Sequence, residues 1–140
     1  ISDGFHLHPG TVRLVLKTKG LDRVVAITDS IMAAGLPDGE YKLGVNDVVV
    51  QNGDAKLRNG VRAGSTLTLD KALRNLIKFT GLGPEKLWRI LSYNQASMMG
   101  LSDRGSLEVG KRADMVVLSD AMEVVKTIVG GEVVYKKEVQ

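Results

Sequence analysis

The sequence predicts an α/β fold, because strand and helix patterns alternate at its start. The alternation of His6, Leu7 and His8 indicates a short extended segment, and residues 11–19 carry apolar side chains at helical spacing. The run at residues 24–28 is apolar and mostly β-branched, as in a strand that is buried on both faces. A strand, a helix and a second strand in this order indicate a parallel sheet.

Caps and turns set the expected boundaries of the next elements. Thr11 is the candidate N-cap of the helix at 11–19. Residues 31–46 are rich in glycine and predict a long loop. A β-hairpin is predicted over 48–57, where Asn52-Gly53 has the composition of a two-residue turn.

The second half of the chain begins with predicted helices. Residues 68–80 place apolar side chains on one face at the 3.6-residue period, and Thr68 can cap this helix. A second helix is predicted over 84–92, with Trp88 among its inward-facing side chains. Asn94 is the expected cap of a third, short helix.

The pattern changes to β-strands from Gly105 onwards. Residues 113–118, 124–129 and 133–135 have strand composition, and Gly130-Gly131 predicts a tight turn between the last two. This end of the chain is therefore expected to form antiparallel β-structure.

The composition is that of an ordinary globular domain. The chain has 140 residues, of which 44% are hydrophobic and 25% charged, and its net charge is +3. Basic residues form only short clusters and aromatic residues make up 4%, so no nucleic-acid partner is expected. No apolar run approaches the roughly 20 residues of a membrane span, so no membrane partner is expected either.

The sequence contains no cysteine, which excludes disulfides and thiolate metal sites and is compatible with the cytoplasm. It shows no secretory signal pattern. Its first residue is Ile1 rather than methionine, and we therefore expect a piece of a longer cytoplasmic protein.

Asp29 is the first candidate functional residue. It directly follows the predicted strand at 24–28, and ligands of parallel sheets lie at the carboxyl ends of the strands. An aspartate in this position also fits a turn, or the cap of the loop that follows. These residues alone leave both interpretations open.

Two further patterns suggest a ligand, and each has a simpler alternative. His6 and His8 would share one face of an extended strand, and with Asp29 they offer two imidazoles and a carboxylate to zinc. His8 could equally pack or face solvent. The glycine-rich loop at 60–66 fits a phosphate cradle or a turn before the next helix, and it lacks the lysine of a nucleotide-binding loop.

Several short motifs occur in an order that indicates a family. They are Asp3-Gly4-Phe5-His6, Thr28-Asp29, Ala63-Gly64-Ser65-Thr66 and Gly110-Lys111-Arg112-Ala113-Asp114. Over essentially the whole chain, the sequence resembles the C-terminal part of the N-acetylglucosamine-6-phosphate deacetylase family, within the amidohydrolase superfamily.

The resemblance implies an architecture. Residues 1–104 would form the C-terminal part of a (β/α)8 TIM-like barrel, with residues 24–28 as its eighth strand. Residues 105–140 would supply the terminal β-strands of a small β-sandwich. A whole barrel takes about 250 residues, so the chain would hold only part of one. The resemblance also implies a homodimer.

The resemblance further implies a reaction in amino-sugar catabolism. Such enzymes hydrolyse the acetamide of a sugar phosphate, N-acetylglucosamine 6-phosphate, and release glucosamine 6-phosphate and acetate. They use a divalent metal ion, zinc or iron, held by a glutamate and two histidines on earlier strands. No metal ligand is therefore expected in this chain, and we expect the chain alone to be inactive.

The same resemblance implies roles for individual residues. Asp29 resembles the catalytic aspartate, which takes a proton from water and hands it to the leaving amine. The residues that resemble substrate contacts are Asp3, Gly4, Phe5, His6, Arg62, Ala63 and Gly64. Among these, His6 would make a polar contact, and the loop at 62–64 would touch the sugar through its backbone.

Two other interpretations are open. The first is a different hydrolase of the amidohydrolase superfamily, such as a deaminase or a cyclic amidase. The second is a non-catalytic fragment or interaction module that retains the fold without the metal.

Overall fold

A computed structural model of the protein describes residues 1–138. The helices and strands follow one another in an order that separates two sheets by a group of helices. They are α1 (Pro9–Lys19), a 3-10 turn (Leu21–Arg23), β1 (Gly39–Leu43), β2 (Asn46–Gln51), β3 (Asp54–Leu57), α2 (Leu69–Thr80), α3 (Pro84–Leu91), α4 (Tyr93–Met98), β4 (Met115–Leu118), β5 (Val124–Val129) and β6 (Glu132–Lys136).

Both sheets have three strands and are antiparallel, with the orders β1-β2-β3 and β4-β5-β6. Asn52 has φ 52° and Gly53 has φ 76°, so both residues of the predicted hairpin turn lie in the left-handed region, as a type I′ turn requires. Gly130-Gly131 forms the predicted turn between β5 and β6. The predicted loop at 31–46 is wrong over 39–43, because β1 pairs there with β2.

The larger apolar core lies between α1, α2 and α3. Its buried side chains are Val12, Leu16, Leu73, Leu76, Leu87 and Ile90. The predicted inward position of Trp88 is wrong, since Trp88 is 43% exposed. The buried face of α3 is set by Leu87 and Ile90 at a spacing of three residues, and the intervening Trp88 projects to the side of that face.

A second, smaller core lies beneath the sheet β1-β2-β3. Val48 and Val50 alternate inward on β2 and pack with Ala33, Ala55 and Ala63. The small side chains allow the loop that carries Ala63 to lie directly against the sheet. This contact places the Ala63-Gly64-Ser65-Thr66 motif beside the hairpin.

The predicted parallel βαβ unit does not form among residues 1–138. Residues 6–7 form a bend rather than a strand, and residues 24–28 pair with no strand, although Val24 has an extended backbone with φ −117° and ψ 136°. The parallel pairing in the described chain is an isolated bridge between Ser30 and Ser65. The apolar pattern of residues 24–28 predicts a strand, but a strand also needs a neighbouring backbone.

The side chains of α4 take the place of such a neighbour. Asn94 Nδ2 donates to the carbonyl oxygens of Leu21 and Val24, both at 2.7 Å, and Gln95 Nε2 donates to Ala26 O at 2.9 Å. The prediction that Asn94 caps the helix is therefore wrong, because Asn94 lies inside α4 and binds the extended segment.

Two other predicted caps differ from the structure. His8, not Thr11, is the N-cap of α1, and its Nδ1 accepts a hydrogen bond from the Gly10 N–H at 3.1 Å. Pro9 follows as the first helical residue, where its missing N–H costs nothing. Thr68 occupies the N-cap position of α2, but its side chain makes no capping hydrogen bond.

None of the helices within residues 1–138 is both long and apolar enough to span a membrane.

Two leucines of α2 provide a matched test of the helical core. Leu73 is 1% exposed and Leu69 is 46% exposed. We expect Leu73→Ala to lower the free energy of unfolding by about 2–5 kcal/mol, since it leaves a cavity among packed side chains. Leu69→Ala should cost less than about 1 kcal/mol. Urea denaturation followed by circular dichroism measures both changes, and equal costs would contradict the described packing.

Candidate active site

The segment Asp3–His6 is organised by the Asp3 carboxylate. Asp3 Oδ1 accepts hydrogen bonds from the N–H groups of Phe5 and His6, both at 2.9 Å. Asp3 Oδ2 lies 2.6 Å from His6 Nδ1. Gly4 has φ 86°, a conformation that this tight turn requires and that glycine adopts without strain. One short motif therefore fixes both its own backbone and the ring of His6.

The charge of Asp3 sets the orientation of the His6 ring. Burial alone would raise the pKa of Asp3. Hydrogen bonds from His6 and Phe5 lower this pKa by a larger amount, so it lies below its ordinary value. An ionised carboxylate can only accept hydrogen bonds, so His6 Nδ1 is the donor. His6 Nε2 is then the ring nitrogen that can reach a ligand.

Asp29 lies in a tight turn directly above Gly64. It is exposed and has φ 52°, a left-handed conformation that is uncommon for residues other than glycine. Its carbonyl oxygen accepts a hydrogen bond from the Ser65 N–H at 2.8 Å. A Cβ atom added to Gly64 would lie 3.0 Å from Asp29 O and 2.7 Å from Ile31 Cγ2. The glycine at position 64 thus allows the turn that carries Asp29 to approach the loop.

Arg62 connects the loop to both the hairpin and the first motif. Its Nε and Nη2 atoms bind the two carboxylate oxygens of Asp54 at 2.8 and 3.0 Å. Its guanidinium carbon lies 5.9 Å from the centre of the Phe5 ring. The side chain of Arg62 is therefore occupied within the protein, and its backbone is what remains for contact with a ligand.

Asp54 is a residue of this region that sequence reasoning missed. Hydrogen bonds from Arg62 lower the pKa of Asp54 to about 2, against the opposing effect of burial and with a further hydrogen bond from Lys56. Asp54 directly follows the Asn52-Gly53 turn, and Arg62 lies near the next predicted turn. The only signal in the sequence was this pair of opposite charges flanking one hairpin strand.

Phe5 lines a shallow groove against the hairpin, together with Gln51, Asn52, Asp54 and Lys56. The groove has a volume of about 280 Å³. Small-molecule sites usually have volumes of about 300–1,000 Å³, so this groove would form one side of a binding site rather than a complete site.

The predicted site residues come together in three pairs: Asp3 with His6, Phe5 with Arg62, and Asp29 with Gly64. Ala63 is buried in the small core beside the last pair. No ion pair connects Asp29 to His6 in the part of the chain that the structure describes. The roles of these residues in binding and catalysis stay predictions.

The alternative zinc site of His6, His8 and Asp29 is wrong. Among residues 1–138, no three His, Asp or Glu side chains are grouped so that they could hold a metal ion. His8 is instead used as the cap of α1, because its Nδ1 accepts the Gly10 N–H.

Comparison with known proteins assigns the family. The model of the Amidohydrolase family matches residues 1–134. The chain belongs to the amidohydrolase family. Members of this family differ in substrate. Individual relatives with high sequence identity to this chain therefore give more specific information than the family does.

Two amidohydrolase relatives and one solved structure are similar over nearly the whole chain. N-acetylglucosamine-6-phosphate deacetylase of Lysinibacillus sphaericus is 39% identical over 133 residues, which are 95% of this chain and 34% of that protein. N-acetylgalactosamine-6-phosphate deacetylase of Escherichia coli O157:H7 is 38% identical over 133 residues, which are 94% of this chain and 35% of that protein. The crystal structure of N-acetylglucosamine-6-phosphate deacetylase from Thermotoga maritima matches with a TM-score of 0.91 and 45% identity, over 98% of this chain and 38% of that one.

This amidohydrolase chain therefore spans about one third of the length of the relatives that it matches. The family model covers both the motif that contains His6 and the turn that contains Asp29, since it extends over residues 1–134.

The ion pair of Asp54 and Arg62 predicts a pH-dependent contribution to stability. The pKa of Asp54 is lowered to about 2 from 3.8, so the pair stabilises the fold above pH 4, and this contribution is lost as the pH falls towards 2. Arg62→Gln should raise the pKa of Asp54 and lower stability at pH 7, with little difference from the parent below pH 2. Carboxyl-carbon NMR titration and urea denaturation at both pH values measure these effects.

Arg58→Gln is the matched control, since Arg58 pairs with Glu40 and Asp47 rather than with Asp54. It should leave the pKa of Asp54 unchanged. An Asp54 pKa that does not rise in Arg62→Gln would contradict the described pair.

Proposed function

We propose that this chain is the C-terminal part of a metal-dependent deacetylase. The reaction is hydrolysis of the acetamide of N-acetylglucosamine 6-phosphate to glucosamine 6-phosphate and acetate. The observation that carries the proposal is the likeness to the Thermotoga maritima deacetylase, with a TM-score of 0.91 over 98% of this chain. The relative from Lysinibacillus sphaericus is also named N-acetylglucosamine-6-phosphate deacetylase and is 39% identical.

In the proposed architecture, residues 1–104 belong to a (β/α)8 barrel and residues 105–140 to a small β-sandwich. The change of structure supports this division, because α4 ends at Met98 and the sheet β4-β5-β6 begins at Met115. The extended segment at 24–28 is proposed as the eighth strand of the barrel. Asp29 would then lie at the carboxyl end of that strand, where barrel enzymes place their chemistry.

Amide hydrolysis requires a strengthened nucleophile and a proton for a poor leaving amine. A divalent ion, zinc or iron, would supply the Lewis acid in the complete enzyme. The described residues offer no set of three ligands for it, so its ligands would come from outside this chain. Asp29 is exposed in its turn and is proposed to take the proton from the attacking water and deliver it to the leaving nitrogen.

The segment Asp3–His6 and the loop at 62–64 are proposed to bind the substrate. His6 Nε2 can accept a hydrogen bond from a hydroxyl of the sugar, because His6 Nδ1 carries the ring proton and donates a hydrogen bond to Asp3. Arg62, Ala63 and Gly64 are proposed to contact the sugar through their backbone, since the Arg62 side chain already binds Asp54. The complete protein is proposed to be a homodimer, as the resemblance implies.

A second candidate substrate is the C4 epimer, N-acetylgalactosamine 6-phosphate. The Escherichia coli O157:H7 relative, which is 38% identical, is named N-acetylgalactosamine-6-phosphate deacetylase. Comparing kcat/KM for the two sugar phosphates with the complete protein would decide between them. Neither a deaminase nor a cyclic amidase is favoured by any of these relatives.

Substitution of Asp29 tests the catalytic proposal. In the complete protein we expect Asp29→Asn to lower kcat by about 10²–10⁴-fold with KM little changed, since the amide cannot accept the proton. His6→Ala should mainly raise KM. Acetate release is the measurement, and Asp22→Asn, on the 3-10 turn before the extended segment, is the matched control. Near-normal kcat in Asp29→Asn would remove this residue from the mechanism.

The 140-residue chain without further sequence is expected to be inactive. It spans about one third of its relatives and groups no three metal ligands within residues 1–138. Purified chain with added zinc should release acetate from N-acetylglucosamine 6-phosphate no faster than the blank. The complete protein under identical conditions is the positive control, and a rate above the blank for the chain alone would refute this expectation.

A further inference from the structure

Ser65 binds the turn that carries Asp29 on both sides of that residue. Its N–H donates to Asp29 O at 2.8 Å, and its carbonyl oxygen accepts from the Ile31 N–H at 2.9 Å. Ser65 is only 2% exposed, so these two backbone bonds are shielded from water. They give the isolated parallel bridge between Ser30 and Ser65.

The hydroxyl of Ser65 adds a third point of attachment. It donates to Thr28 O, immediately before Asp29, and accepts a hydrogen bond from the Leu67 N–H at 3.0 Å. One side-chain oxygen thus joins the turn to the loop and also fixes the loop itself. No other side chain donates to the Thr28 carbonyl within the described residues.

This attachment bears on the conformation of Asp29. The backbone at Asp29 has φ 52°, a region that a residue with a Cβ atom occupies only when its surroundings hold it there. The residue before it, Thr28, and the second residue after it, Ile31, are both bound to Ser65. The direction of the Asp29 carboxylate therefore depends on the position of Ser65.

We propose that Ser65 is a positioning residue for Asp29, through a hydroxyl that binds Thr28 O and holds the left-handed turn; this inference rests on the proposed catalytic role of Asp29. Without the hydroxyl, Thr28 O and the Leu67 N–H both lose their partner. The turn can then relax towards ordinary φ values, and the carboxylate leaves the direction needed for proton transfer. The segments proposed to bind the substrate keep their own contacts, Asp3 with His6 and Arg62 with Asp54, so the loss falls mainly on kcat.

The test is Ser65→Ala in the complete protein. We expect kcat to fall by about 10- to 100-fold, the scale of a misplacement of about 1 Å, while KM changes less than about twofold. A crystal structure of the variant should show Asp29 outside the left-handed region. Ser65→Thr, which keeps the hydroxyl, should recover most of kcat.

Thr80→Val is the matched control for loss of a hydroxyl that bonds two backbone groups. Thr80 Oγ1 donates to Leu76 O at 2.7 Å and accepts from the Leu82 N–H at 3.1 Å, the same pattern as in Ser65, but at the end of α2. It should reduce stability with kcat unchanged. The inference is overturned if Ser65→Ala leaves φ of Asp29 positive, or if its kcat equals that of Thr80→Val.

The outcome for Asp29→Asn separates this inference from the proposed function. If Asp29→Asn retains turnover, the catalytic role of Asp29 fails, and Ser65 is then a structural residue only. If Asp29→Asn loses turnover but Ser65→Ala does not, the proposed function stands and the positioning role of Ser65 is refuted.

Discussion

The contact between the turn at residues 28–31 and the loop at 64–67 is the constraint on which the rest of the candidate site depends. It lies between Ala26, which packs against the helical core, and Ile31, which packs against the small core beneath the hairpin. Gly64 permits the approach because a Cβ atom there would lie 2.7 Å from Ile31 Cγ2, and Ser65 holds it through backbone and hydroxyl hydrogen bonds. Without this contact, the backbone at Asp29 would be free to rotate.

The part of the candidate site formed by Asp3, His6 and Arg62 is held mainly by interactions of charged side chains. Asp3 orients His6, and Arg62 lies between the Asp54 carboxylate and the ring of Phe5. Asp3 and Arg62 each bind groups inside the protein, which leaves His6 Nε2 and the backbone of the loop at 62–64 for a ligand. That distribution supports the proposed recognition through the imidazole and the backbone rather than through the guanidinium.

Elements with a local signal could be predicted from the sequence. The Asn52-Gly53 turn requires two left-handed residues next to each other, and the apolar face of α2 is visible at the helical period. Features that depend on distant residues could not be predicted. The hydroxyl of Ser65 acts on Thr28, 37 residues away, and Asn94 binds Val24 O from 70 residues away. A serine in a glycine-rich loop gives no local sign of such a contact, and an asparagine before a helix predicts a cap, which is the role that the sequence indicates for Asn94.

The segment at residues 24–28 relates the turn that carries Asp29 to the proposed barrel. One side of its backbone is occupied, since Ala26 N–H donates to Ile90 O and Ala26 O accepts from Gln95. Ile27 is nevertheless 52% exposed, and Gln95 Oε1 is buried without a hydrogen-bond donor among residues 1–138. An apolar, extended and partly paired backbone is what a strand of a parallel sheet presents before its neighbours are in place. The carboxyl end of this segment carries the only residue within residues 24–31 that combines a left-handed backbone with an ionisable side chain. This placement of a carboxylate at the end of the proposed strand is the physical basis for the proton-transfer role proposed for Asp29.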